Sequence, residues 1–147
     1  MLDPATRDRI VQELFAQHLG SENKFAEELY LSWDDARAMQ SEGMVMGGHT
    51  HQHMPLSRLA DPELDADLRT CRTLLDKNLN AQTAWPFSYP YGKSDSFNRS
   101  TVEKLTSLGF DCSFATEAGM NYPHGDRFAI RRVDCKVALQ RPHERAA

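Results

Sequence analysis

Gly47-Gly48-His49-Thr50-His51-Gln52-His53 gathers three of the chain's six histidines into five residues. It follows an apolar run, Met44-Val45-Met46, which the two glycines bring to a stop. A short apolar run ended by glycine reads as a buried strand opening into a loop. In α/β proteins the loop at the carboxyl end of a strand is where ligands bind. Imidazole is the commonest metal ligand and the usual proton shuttle near neutral pH. If the loop turns at once into a helix, His49 and His53 share one face and can grip one metal ion. If it stays extended, His49, His51 and His53 share a face instead. Either arrangement suits a divalent metal such as zinc.

Upstream of this stretch the signals are helical. Asp3-Pro4 pairs an N-cap residue with a proline at the first helical position. Ile10, Val11, Leu14 and Phe15 form an apolar stripe, and Gly20 ends the helix. Ser21 is placed to cap a second short helix carrying Phe25 and Leu29. Ser32 and Asp35 have capping-box spacing for a third, which ends at Gly43.

Downstream, Asp61-Pro62 repeats the opening signal. Leu64, Leu68, Cys71, Leu75 and Leu79 then recur at helical spacing, the clearest amphipathic pattern in the chain. Ala84 to Tyr89 reads as a strand, Pro90-Tyr91-Gly92-Lys93 as a turn, and Asn98 to Leu108 as a helix stopped by Gly109. Phe110 to Ala115 alternates like a strand, and Phe128 to Val133 reads as the last one. Strands alternating with helices imply parallel pairing through right-handed crossovers, hence an α/β fold.

The whole chain has 147 residues, enough for one core. One domain is expected, with N-terminal helices over 1–30, a βα core over 31–134 and a polar tail over 135–147. A net charge of -4, with no basic cluster, leaves no electrostatic footprint for nucleic acid. No apolar run approaches the roughly 20 residues of a bilayer span, and the N-terminus lacks the apolar core of a signal peptide. Cys71, Cys112 and Cys135 form no CxxC pair. They read as free thiols suited to a reducing cytoplasm rather than as a zinc site.

A second candidate for chemistry is Phe87-Ser88-Tyr89-Pro90-Tyr91-Gly92. A strand end followed by proline and glycine makes a rigid turn whose backbone N–H groups can face a reacting oxygen. Read alone, it is better taken as an aromatic strand with a plain turn.

Taken together, the stretches resemble a known family. SWDDARAMQSEGMVMGGHTHQHMPLSRL (residues 32–59) is similar to the second motif region of the polysaccharide deacetylases of the NodB-homology type. In that family a His-[Ser/Thr]-x-x-His pair binds a divalent metal, which matches His49, Thr50 and His53. FSYPYGKSDSFNRSTVEKLTSLGFDCSFAT (residues 87–116) resembles the third motif region, and FAIRRVD (residues 128–134) a closing strand. The resemblance covers about Leu31 to Asp134.

It implies an incomplete distorted (β/α) barrel preceded by N-terminal helices. It also implies a metal, usually zinc, held by His49 and His53 with an aspartate; His51 is then expected to turn away or to stand behind the ligands. The Tyr91 backbone N–H would be the oxyanion donor, and Tyr89, Pro90 and Tyr91 would line a site for an N-acetylated carbohydrate. The reaction implied is hydrolysis of an acetamide.

Three departures stand out. The family's first motif, an Asp-Asp strand supplying base and third ligand, has no counterpart before Leu31. Asp34-Asp35 is no substitute, because it falls in the first turn of a helix. Ser88 stands where many members have an arginine. No Leu-x-His supplies the family's acid: His143 sits in a polar tail, and nothing in the sequence brings His124, a loop residue, to the site. Two readings follow: a deacetylase incomplete or inactive as the isolated chain, or a non-catalytic remnant that binds metal or sugar or serves as an assembly unit. A chain lacking the first strands of a barrel has unpaired edges, so a homo-oligomer is expected.

Overall fold

The computed structural model describes residues 3–138. Three helices come first: α1 (Pro4–Leu19), α2 (Glu22–Leu29) and α3 (Trp33–Ser41). Asp3 caps α1 by accepting the Thr6 N–H, with proline at the first helical position. Ser21 makes no side-chain cap on α2, contrary to expectation. Ser32 and Asp35 do form the expected reciprocal capping box on α3. α1 packs on α2 through an edge-to-face contact of Phe15 with Phe25. Ile10 of the expected α1 stripe is half-buried, whereas Val11 and Leu14 are exposed.

Beyond the histidines, a 3-10 turn (Leu56–Arg58) leads into α4 (Asp61–Asn78). Ala60 is its N-cap rather than Asp61, and Glu63 accepts the Ala60 N–H. Then come β1 (Pro86–Ser88), α5 (Arg99–Ser107), β2 (Cys112–Phe114) and a single turn, α6 (Cys135–Ala138). β1 and β2 pair in parallel. Gly48 bridges to Phe87 on one flank and Ile130 to Phe114 on the other, both also parallel.

One face of this small sheet is the core. Leu64, Leu68 and Leu75 of α4, Leu105 of α5, and Phe87 and Phe110 pack together there. The opposite face, carrying Pro86, Ser88, Cys112 and Phe114, is only half-buried. It borders an open hollow of about 470 Å³.

Two expected strands are reduced to single bridges. At Met44-Val45-Met46, β1 is the only flanking strand among the described residues, and it pairs no further than Gly48. The Met46 N–H and C=O go instead to the Gln82 side chain, at 3.1 and 2.6 Å. Met44 and Val45 are each 53% exposed, so the apolar run is not buried. At 128–133, the Asn121 side chain takes both the N–H and the C=O of Arg131, and the Arg132 N–H goes to Glu117. A strand persists only where its backbone groups find a strand partner.

No helix of the described residues is long and apolar enough to cross a membrane.

Candidate functional site

All four parallel segments run the same way, so the residues just after them meet at one end of the sheet. These are His49, the 89–92 turn, Thr116 and Arg131-Arg132.

Gly48 sets the first of them. Its N–H donates to Pro86 at 2.9 Å and its carbonyl accepts from Ser88 at 2.8 Å. A Cβ here would stand 2.8 Å from Phe87, so only glycine lets the backbone lie this close to the core. His49 follows at once, and its Nδ1 lies 2.6 Å from the Ser88 carbonyl oxygen. A carbonyl only accepts, so Nδ1 is the donor in this contact, and in the neutral ring Nε2 is then the nitrogen with the lone pair. This is the arrangement in which histidines hold metals.

The stretch 49–53 is neither the helix nor the extended run considered from sequence. It is a turn in which Thr50 (φ 66°) and His53 (φ 56°) adopt left-handed backbone. Thr50 Oγ1 accepts the His53 N–H at 2.9 Å, closing the turn. The closure brings the His49 and His53 rings to 4.9 Å between centroids, at 69°. Two imidazoles on a tetrahedral zinc, with Zn–N of about 2.05 Å, have centroids about 5 Å apart. The observed centroid separation is close to that value. His51 is exposed and makes no ring contact with the pair. Among the described residues no third His, Cys, Asp or Glu joins them into a metal-holding group.

The second half of the site is the turn after β1. Tyr91 (φ 63°) and Gly92 (φ 64°) are both left-handed. Thr116 locks them: its N–H donates to the Gly92 carbonyl at 2.8 Å and its hydroxyl to the Tyr91 carbonyl at 2.9 Å. The Tyr91 N–H finds no acceptor among the described residues. The Tyr91 ring lies 5.4 Å from that of His53, so the turn and the histidine pair face each other.

Two expected substrate contacts are corrected here. Tyr89 is 1% exposed, stacks on Phe97 at 3.8 Å and donates its hydroxyl to the Phe128 carbonyl. Pro90 is also fully buried. Neither presents a side chain to a ligand, because the pleat sends residue 89 to the core and the turn folds residue 90 under it. Tyr91 is 58% exposed and remains.

Asp34 and Asp35 stay in α3. Asp34 pairs with Arg37, and the Ser32 hydroxyl and amide hold the Asp35 carboxyl below its usual range. His124 lies in the loop after β2, and His143 lies outside the described residues.

Sequence reasoning missed three residues that bear on the site. Arg132 borders the same hollow as His49 and Ser88, with its Nε donating to the Ala115 carbonyl. Thr116 holds the Tyr91 turn. Asp67 of α4 holds the histidine turn, and its position on the 64-68-71-75 stripe was a readable signal: a carboxylate on an apolar face needs a buried partner.

A family model described as polysaccharide deacetylase matches residues 10–113. The chain belongs to the polysaccharide deacetylase family.

Solved structures agree on the fold of this deacetylase-family chain. The Streptococcus pyogenes deacetylase PplD, in complex with acetate, is 22% identical with a TM-score of 0.62; the match covers 70% of this chain and 44% of that one. IcaB from Ammonifex degensii is 26% identical with a TM-score of 0.62, covering 73% and 49%. The BpsB deacetylase domain from Bordetella bronchiseptica is 21% identical with a TM-score of 0.58, covering 70% and 48%. The chain thus spans less than half the length of these structures. A comparison with curated proteins finds no match.

Proposed function

We propose that this chain carries the metal-binding and oxyanion-binding part of a hydrolase site that removes acetyl groups from N-acetylated carbohydrate. The proposal rests on one observation: His49 and His53 converge opposite a turn whose Tyr91 N–H, like His49 Nε2, has no partner among the described residues. His49 and His53 would hold a divalent ion, zinc by the chemistry of the donor set. When bound, such an ion supplies Lewis acidity toward an acetamide carbonyl.

The residues present do the positioning. The Ser88 carbonyl keeps the His49 proton on Nδ1 and sets the direction of Nε2. Thr116 keeps the 91–92 turn in its left-handed form, which supports the Tyr91 N–H as the donor that would meet negative charge developing on an oxygen. The exposed Tyr91 ring offers a flat face beside His53 for a sugar ring.

The fold supports an incomplete barrel, with four parallel segments around a face that no described element covers. The exposed Met44 and Val45 on its edge favour association with a second copy.

Zinc content of protein purified without chelator tests the metal reading. Wild type is expected to carry zinc, with a low occupancy set by two protein ligands, and His49→Ala, His53→Ala protein to carry none. Equal zinc in both proteins would sink it.

A further inference from the structure

The geometry points to Asp67 as the positioning residue that holds the 49–53 turn in the shape where the two imidazoles converge. The inference rests on the metal-pair reading only for its purpose; the turn it explains is observed.

Asp67 is 6% exposed on the core-facing side of α4. Its Oδ1 accepts the His51 N–H at 2.9 Å and its Oδ2 accepts the Gln52 N–H at 2.9 Å. Two successive amides of the turn are thus met by one carboxylate of α4. A buried carboxylate needs such donors, and among the described residues no basic side chain pairs with it. The dependence runs both ways. Thr50 is β-branched and left-handed, and His53 is left-handed too, conformations that persist only where the surroundings over-determine them.

Asparagine at 67 keeps the shape but not the function. It has one acceptor oxygen, and its NH2 would face the second amide, donor against donor. The turn would then be held at one point and free to relax, and the rings would lose their fixed separation.

Amide hydrogen exchange on the wild-type 147-residue chain is the first measurement. His51 and Gln52 have exposed side chains on a loop, yet their amides are expected to be protected like those of α4; exchange at free-loop rates would overturn the proposal without any variant. The second measurement compares wild type, Asp67→Asn and Leu68→Ala, the last as a core variant that leaves the clamp in place. Imidazole nitrogen shifts are expected to show His49 fixed with its proton on Nδ1 in wild type and Leu68→Ala, and a tautomer mixture in Asp67→Asn. Cobalt(II) affinity, read from its visible spectrum, is expected to fall about 10- to 100-fold in Asp67→Asn. A folded Asp67→Asn protein with wild-type exchange and a fixed His49 tautomer refutes the role of Asp67. Protected amides and a fixed tautomer with no His49-dependent cobalt binding instead refute the metal reading and leave the clamp standing.

Discussion

Replacing Gly48 with alanine ties the packing of the fold to the geometry of the site. The new Cβ would lie 2.8 Å from Phe87 Cδ2 and 2.9 Å from Phe110 Cε1. Carbon atoms pack comfortably at about 3.5–4.0 Å, so something must move. The rings have little room, since both are buried and pack against each other at 5.2 Å. The backbone is tied to Pro86 and Ser88 on both its polar groups. Overpacking of this kind costs about 1–3 kcal/mol. For a chain of this length each kcal/mol lowers Tm by about 2–4 °C, which gives a fall of about 2–12 °C. The remaining way to relieve the clash is to shift residues 48–49 off β1, which stretches the 2.6 Å contact of His49 Nδ1 with Ser88. Cobalt affinity should therefore fall together with Tm. Thermal denaturation by circular dichroism and a cobalt titration on the same preparation measure both. A Gly48→Ala protein that melts with wild type and binds cobalt equally well would refute the packing argument.

The isolated chain is expected to release no measurable acetate from N-acetylglucosamine oligomers with excess zinc or cobalt, because a missing general base alone costs about 10²–10⁴ in rate; clear turnover lost in His49→Ala would overturn this. Burial pushes the Tyr89 hydroxyl up to about 12. A raised folded pKa stabilises fully below the unfolded value of about 10 and is lost as pH climbs from there through about 12, so the unfolding free energy from urea titration should drop between pH 9 and pH 12 by an amount on the order of 2–3 kcal/mol. Tyr89→Phe should remove most of that alkaline drop, and an unchanged profile would count against it. Light scattering at micromolar concentration is expected to give a dimer or larger symmetric oligomer, and a stable monomer would argue that the exposed Met44–Val45 edge needs no partner copy.

The helices were legible because their signals are local. Asp3-Pro4, the Ser32–Asp35 box and the 64-68-71-75 stripe each act within a turn or two of chain. The strands were legible only where a neighbour exists. Residues 86–88 and 112–114 pair with each other, whereas 44–46 and 128–133 have strand-like composition but little strand to pair with. Composition reports what a segment would do beside a partner, not whether the partner is there.

For the site, sequence determined the chemistry: two histidines four apart after a glycine-ended segment, and a Pro-Tyr-Gly turn in the order and spacing of the deacetylase family. Tertiary structure decided everything that depends on orientation. It placed the His49 proton on Nδ1 through a carbonyl 39 residues away, sent Tyr89 and Pro90 inward while leaving Tyr91 outward, and set Asp67 and Thr116 behind the two turns. Spacing along a chain limits which side chains can meet. Which atoms face each other is settled by left-handed residues and by long-range hydrogen bonds, and neither is written in any short window of sequence.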